Sequence, residues 1–413
     1  MNTSYFIAKT LIKGNKEDKK TSNIIANIAV LGTALSVLVM IVSIFISSGF
    51  KKNIHDKAEG FSADFQIINH DANFSYDLKP IVLKEEKKQA IRKIEGVESL
   101  AQFITKPAVV KYHKNIEGVV LKAYDDNFDN QFLKKEIIEG KWPDFDNKEI
   151  LISQHIAQKL NIKLGDKIIV YFVQNPIRFR KLKVTAIYNT NLQDFDKLFC
   201  FVSMPLLQKI NHWKKEEVNG YEILINKDFS EEKLREKIEN KIAAPIYQNQ
   251  EKESILKLVS VQDKYPQLFF WLSLLDSNVL IIIILMIFVS AVNLISALLI
   301  IIIENINKIG LLKAFGATNK EIRHIFLYYS IYLTLKGVLI GNLLALLLVF
   351  LQYQYHLIPL DAEHYYMSFV PVNFDWIALF WINIVSIPLI IIILTVPTHY
   401  IAKISPVKVI RFQ

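Results

Sequence analysis

Apolar and polar positions are segregated along this chain. Four stretches, residues 21–50, 277–303, 325–352 and 376–402, carry almost no charge. The second holds a near-continuous apolar run at 279–288, Lys336 is the only charge in the third, and Pro388 and Pro397 interrupt the fourth. A bilayer core about 30 Å thick needs roughly 20 apolar helical residues. Each stretch therefore predicts a membrane span, with bounds at 24–50, 268–303, 325–352 and 376–401. The alternative, helices buried in a soluble core, would need a very large soluble domain to cover four of them. The first stretch is far longer than the apolar core of a cleaved signal peptide and predicts a retained span. Counted from Leu268 to Ile303, the second helix is about 54 Å long at 1.5 Å per residue, so it projects beyond one face of the bilayer.

Residues 51–267 read differently. They are rich in Lys, Glu and Asp and show short alternating runs broken by turn residues. Strands are expected at 63–69, 99–112, 118–124 and 221–225, and helices at 84–94 and 230–238, with Gly96 closing the first helix. The middle, 132–207, predicts short strands at 149–153, 167–173, 178–188 and 198–202. The expected architecture is an integral membrane protein with four transmembrane helices and a large periplasmic α/β domain. In that domain a β-rich insertion (132–207) splits an α/β unit (51–131 and 208–267).

Charge fixes the expected orientation. Lys9, Lys13, Lys16, Lys19 and Lys20 precede the first span. Lys308, Lys313, Lys320 and Arg323 lie between the second and third, and Lys403, Lys408 and Arg411 follow the fourth. The 353–375 loop has no Lys or Arg. Positive flanks stay in the cytoplasm, so residues 1–23, 304–324 and 402–413 are expected inside and 51–267 outside. The chain has 413 residues, 52% of them hydrophobic, and a net charge of +9. That excess belongs partly to membrane orientation, and no nucleic-acid module accompanies it. A single cysteine, Cys200, excludes a disulfide framework. The nine histidines show no metal spacing, no GxSxG elbow occurs, and nothing fits a P-loop. Asp125/Asp126 and Asp144/Asp146 read as solvated turn acids.

The segment Glu304-Asn-Ile-Asn-Lys-Ile-Gly-Leu-Leu-Lys-Ala-Phe-Gly-Ala-Thr318 resembles the coupling segment of FtsX/MacB-type ABC transporter permeases, with Asn307 and Lys308 where Arg and Glu are usual. Five further stretches are similar to the Lol-type lipoprotein-releasing branch: Tyr5-Phe-Ile-Ala-Lys-Thr-Leu11, Ser48-Gly-Phe-Lys-Lys52, the 268–279 lead-in with Asn293-Leu-Ile-Ser296, Phe369-Val-Pro-Val-Asn-Phe-Asp-Trp376, and the tail 402–412. Together they cover the full length in order.

The resemblance implies a non-catalytic permease subunit of the inner membrane. It would pair with a second permease subunit, as a homodimer or with a related paralogue, above two copies of a separate ATPase. ATP and Mg would bind at that ATPase, and no cofactor on this chain. The machine would extract acylated lipoproteins from membrane lipid and pass them to a periplasmic carrier. Porter-like and β-rich sabre-like units are expected outside. The alternatives are an FtsX-like activator of a cell-wall hydrolase and a MacB-like efflux permease.

Site candidates follow. Lys308, Ile309, Gly310, Leu311, Leu312, Lys313, Ala314, Phe315, Gly316 and Ala317 are expected to couple to the ATPase, with Ile309, Leu312, Lys313 and Gly316 on one helical face. Val39, Met40, Phe45, Phe269, Phe270, Trp271, Leu274 and Leu275 are lipid- or lipoprotein-facing candidates, and the last five could equally be an aromatic belt. Lys336, near mid-membrane, either pairs inside the bundle or snorkels to the interface. Gly32 with Ser36, and Gly337 with Gly341, offer small faces for close helix packing.

Overall fold

The computed structural model describes residues 20–70, 76–128, 131–145, 148–242, 255–361 and 365–398. The Tyr5–Leu11 and 402–412 motifs, Asp146, His364 and His399 lie outside the described residues. Contacts divide the chain into an external unit (Asn53–Phe270 and Leu360–Ser368) and a helical unit made of the rest.

The first helix, α1 (Lys20–Ser62), has 43 residues and runs well past the predicted span end at residue 50. Its polar extension is amphipathic: Ile54, Ala58 and Phe61, at i, i+4 and i+7, are all buried. Ala63, at φ +50, ends it, and β1 (Phe65–Asn69) follows.

After β1 come α2 (Glu85–Arg92), β2 (Val97–Tyr112), β3 (Asn115–Tyr124), α3 (Gln131–Lys135), β4 (Ile137–Gly140), β5 (Glu149–Ser153), α4 (Gln154–Leu160) and β6 (Lys167–Phe172). The unit continues with β7 (Arg178–Tyr188), α5 (Gln193–Asp196), β8 (Phe199–Phe201), α6 (Met204–Asn211), β9 (Gly220–Ile225), α7 (Glu231–Ile242), β10 (Leu256–Ser260) and α8 (Val261–Lys264). All ten strands form one hydrogen-bonded sheet. The 16-residue β2 joins its two parts. Its first half pairs with β9 in an open run β10-β1-β9-β2, and its second half pairs with both β3 and β6. The pairs β3–β8, β8–β5, β5–β7 and β7–β6 then close a six-stranded ring back onto β2.

The strands expected in the β-rich insertion at 132–207 build this ring together with β2 and β3, which the sequence reading assigned to the α/β part. Alternation fills the ring: Val110, Leu121, Ile152, Val170, Val184 and Cys200 are buried in one core. On the other face, Phe61 packs among Phe132, Tyr188, Phe195, Phe199 and Phe201, with ring centroids 4.7–6.2 Å apart. The 360–368 loop belongs to this unit, where Lys57 Nζ donates to the carbonyls of Thr190 and Tyr366, both at 2.8 Å.

The helical unit holds the membrane part of α1, most of α9 (Pro266–Glu304), α10 (Ile306–Ala314), α11 (Asn319–Tyr355) and α12 (Trp376–Thr398). Its spans approach closely at small residues. A Cβ on Gly337 would lie 2.7 Å from Thr33 Cβ, and one on Gly341 would lie 2.6 Å from the Ala34 carbonyl oxygen. Gly32 makes room for Asn293, whose Nδ2 donates to the Ala29 carbonyl at 3.1 Å. Ser36 bonds back to the Gly32 carbonyl at 3.0 Å. Asn342 and Asn383 exchange amide hydrogen bonds of 2.9 and 3.0 Å between α11 and α12.

Candidate functional site

The 304–318 segment is a helix stop followed at once by a restart. α10 ends in a Schellman motif: the Gly316 N–H donates to the Lys313 carbonyl and the Ala317 N–H to the Leu312 carbonyl, both at 3.0 Å. Gly316 sits at φ +91, where a residue with a Cβ is strained. Thr318 then caps α11 in a capping box with Glu321.

The packing of the spans divides the expected docking face. Ile309 and Gly310 are buried within the helical unit, while Lys308, Leu311, Ala314 and Phe315 are exposed and Leu312, Lys313 and Ala317 are half-buried. The packing of the spans claims Ile309 for their own core. This leaves Leu311 (59% exposed) and Phe315 (82%) as the apolar surface, one turn apart. Among the described residues nothing beyond its own chain neighbours lies within 4 Å of a Cβ built on Gly316, so its requirement is conformational. Gly316→Asn, which tolerates φ > 0, is expected to melt near wild type in detergent. Gly316→Val should lose about 1–2 kcal/mol. Equal losses from both would show that space, not φ, selects glycine.

Among the lipid-facing candidates, Met40 and Phe45 are fully buried in the helical core, a correction to the expected exposure, and Val39 is half-buried. They lie on the side of α1 that packs into the unit, and Phe45 meets Phe374 edge-on at 5.9 Å. On α9, Phe270 and Leu274 are exposed while Phe269, Trp271 and Leu275 are half-buried. The exposed stripe continues down the same helix through Ile281, Leu285, Phe288 and Val292. Lys336 is exposed on α11, with no ion pair among the described residues.

A buried polar network in the external unit escaped the sequence reading. Lys122 Nζ donates to Glu222 Oε1 at 2.7 Å and to the Phe61 carbonyl, and both side chains are 1% exposed. Gln66 Nε2 also donates to Glu222 Oε1, at 2.5 Å, and Lys264 Nζ donates to Gln66 Oε1 at 2.8 Å. Tyr124 O–H reaches the same Phe61 carbonyl at 2.7 Å, and the Ser62 and Tyr265 hydroxyls meet at 3.0 Å. Burial, with Lys122 nearby, brings Lys264 down to about 7. The signal was a lone charge inside an apolar strand: Lys122 in Val119-Val-Leu-Lys-Ala123 and Glu222 in Tyr221-Glu-Ile223.

Near the end of α1, His55 Nδ1 lies against Glu59, and Lys227 pairs with Asp56 and, at 2.9 Å, with Glu59. These carboxylates thus already hold a lysine cation. Burial works to raise Glu59, but His55 and Lys227 outweigh it and hold the carboxyl at about 2. Burial and the Glu59 charge push Asp64 up to about 8 from an ordinary 3.8. Between those values the folded state keeps a proton that the unfolded chain loses. The Asp64 contribution to stability is therefore full below about pH 4 and lost as pH rises toward about 8. His55, raised by its hydrogen bond to Glu59, has the same sign. Asp64→Asn is expected to flatten the decline of the melting temperature of the full chain between pH 6 and 8, and an unchanged slope would refute the assignment.

Four apolar helices long enough to cross a bilayer, joined in one chain to a ten-stranded α/β unit, define a polytopic membrane protein with a large extramembranous domain. Residues 27–241, more than half of the chain, match the model of the MacB-like periplasmic core domain, and residues 280–406 match that of the FtsX-like permease C-terminal family. The chain belongs to the MacB/FtsX-type family of ABC transporter permeases, as membrane permeases carrying a periplasmic domain. It is 21% identical to the lipoprotein-releasing system transmembrane protein LolE of Haemophilus influenzae, over 99% of both chains. It is 22% identical to LolC of Buchnera aphidicola subsp. Schizaphis graminum, over 94% of this chain and 93% of that one. An uncharacterised ABC transporter permease of Methanocaldococcus jannaschii is 23% identical over 96% of each. The Lol-type resemblance carried by the sequence motifs is thereby shown.

Proposed function

We propose that this chain is a permease subunit of an ABC transporter that extracts acylated lipoproteins from the inner membrane and hands them to a periplasmic carrier. The observation that carries this reading is similarity to lipoprotein-releasing permeases over essentially the whole length of both chains. Two ATPase copies supply the energy, docking on the exposed Leu311 of α10 and Phe315 just beyond its end, and a second permease subunit completes the membrane part. The termini and α10 are cytoplasmic and the external unit is periplasmic. Acyl chains are held in lipid by about 0.8 kcal/mol per buried CH₂, so release needs an apolar path and an energy source. The exposed stripe from Phe270 to Val292 supports such a path along α9.

Depletion followed by inner-membrane proteomics tests the reading. Outer-membrane lipoproteins are expected to accumulate there. Cell chaining without that accumulation would instead point to hydrolase activation.

A further inference from the structure

Asp125, Asp126 and Asp144 read in the sequence as solvated turn acids, yet the fold gathers all three around one cleft of about 560 Å3 in the external unit. That volume lies in the range of about 300–1,000 Å3 typical of ligand pockets. Two aromatic pairs wall it. Tyr124 stacks on Phe128 with centroids 3.5 Å apart and planes 4° from parallel, and Trp142 meets Phe145 edge-on at 5.5 Å. All four rings are half-buried, packed against the aromatic cluster around Phe61.

The charge balance is one-sided. Asp126 and Asp144 are exposed and Asp125 is half-buried. Of the two cations that line the cleft among the described residues, Lys122 is tied to Glu222, which leaves Lys215 beside three acids. On a chain of net charge +9 this is a local inversion of sign. The wall already accepts a cation, because Lys134 Nζ lies 5.7 Å from the Trp142 ring centroid. Aromatic walls beneath an acidic rim complement a side chain with an apolar stem and a positive tip.

We propose that this cleft binds a short segment of a partner protein carrying Lys or Arg beside an apolar side chain. The inference stands whether or not the transported cargo is a lipoprotein.

The test uses the full chain in phosphatidylcholine nanodiscs and a fluorescein-labelled peptide, Gly-Lys-Phe-Lys-Phe-Lys, followed by anisotropy. Saturable binding that weakens with added salt is expected, with none for the same peptide carrying Glu in place of Lys. Asp126→Lys with Asp144→Lys should weaken binding at least tenfold, Trp142→Ala should weaken it, and Lys215→Gln should tighten it, a gain that misfolding cannot imitate. Glu231→Lys with Glu232→Lys, on the α7 surface, should leave it unchanged. Equal binding of the Lys and Glu peptides, or indifference to the Asp126/Asp144 reversal, would overturn the proposal. So would displacement of the peptide by phosphocholine as readily as by unlabelled peptide, which would make the occupant a lipid headgroup.

Discussion

Valine in place of Gly341 is expected to force the first and third spans apart and to lower the melting temperature of the full chain by many degrees. A Cβ there would stand 2.6 Å from the Ala34 carbonyl oxygen and 2.8 Å from Val37 Cβ. The oxygen belongs to the backbone of α1, so it cannot swing aside as a side chain could. The helix itself must move. Overpacking of this kind costs about 1–3 kcal/mol in soluble cores. Inside a bilayer the loss is harder to recover, because helices there associate through close packing and hydrogen bonds rather than by leaving water. Displacing α1 also disturbs Gly337 against Thr33 and the 3.4 Å contact between the Ser290 and Thr33 hydroxyls. Leu339→Val, on the exposed face of the same helix, is the control. If the Gly341 variant melts with this control in a detergent thermal-shift assay, the close approach of the two spans is wrong.

What the sequence disclosed follows from which interactions are local. The end of α10 was open to the sequence, since Gly316 and the Thr318–Glu321 pair act within one turn of their own backbone, but the helical spacing placed Gly316 on a continuing face instead. Small residues at Gly337 and Gly341 marked a packing face by their i, i+4 spacing alone, although their partners Thr33 and Ala34 lie some 300 residues away in sequence. Exposure was not legible. Ile309 and Leu311 are similar side chains two positions apart, and only the packing of the spans decides that one is buried and the other faces outward. Met40 and Phe45 failed as lipid-facing candidates on the same ground. The six-stranded ring was hidden because β2 looks like one strand whether it serves one partner sheet or two. The polar network was also missed, since period-2 alternation says that Lys122 faces away from Leu121 but not that Glu222 faces it across β2.

Lys122→Met should be the most damaging single change in the external unit. The pair is 1% exposed on both sides, and among the described residues Glu222 Oε2 has no hydrogen-bond partner of its own. Removing the lysine leaves a buried carboxylate that, among the described residues, keeps Gln66 as its donor. Breaking one side of a buried ion pair costs about 3–5 kcal/mol, because the orphaned charge stays desolvated. The Phe61 carbonyl loses one donor but keeps Tyr124 O–H, so the damage should come from Glu222 rather than from the helix end. That distinction can be measured. If the orphaned charge is the cause, Lys122→Met with Glu222→Met should recover much of the lost melting temperature, since apolar replacement of both partners is often neutral. If the helix end is the cause, the double variant should stay as unstable as the single one, while Tyr124→Phe should be comparably harmful. A third consequence has its own sign. The Lys122 charge helps to depress Lys264 and the Glu222 charge opposes it, so with Lys122→Met alone Lys264 should titrate higher than in the wild type. The network joins the last turn of α1, through Phe61 and Ser62, to Lys264 and Tyr265 just ahead of α9. Its loss should therefore appear at both places together, as faster amide hydrogen exchange in residues 58–62 and 261–266. Faster exchange at only one of them would mean that the two ends are held independently.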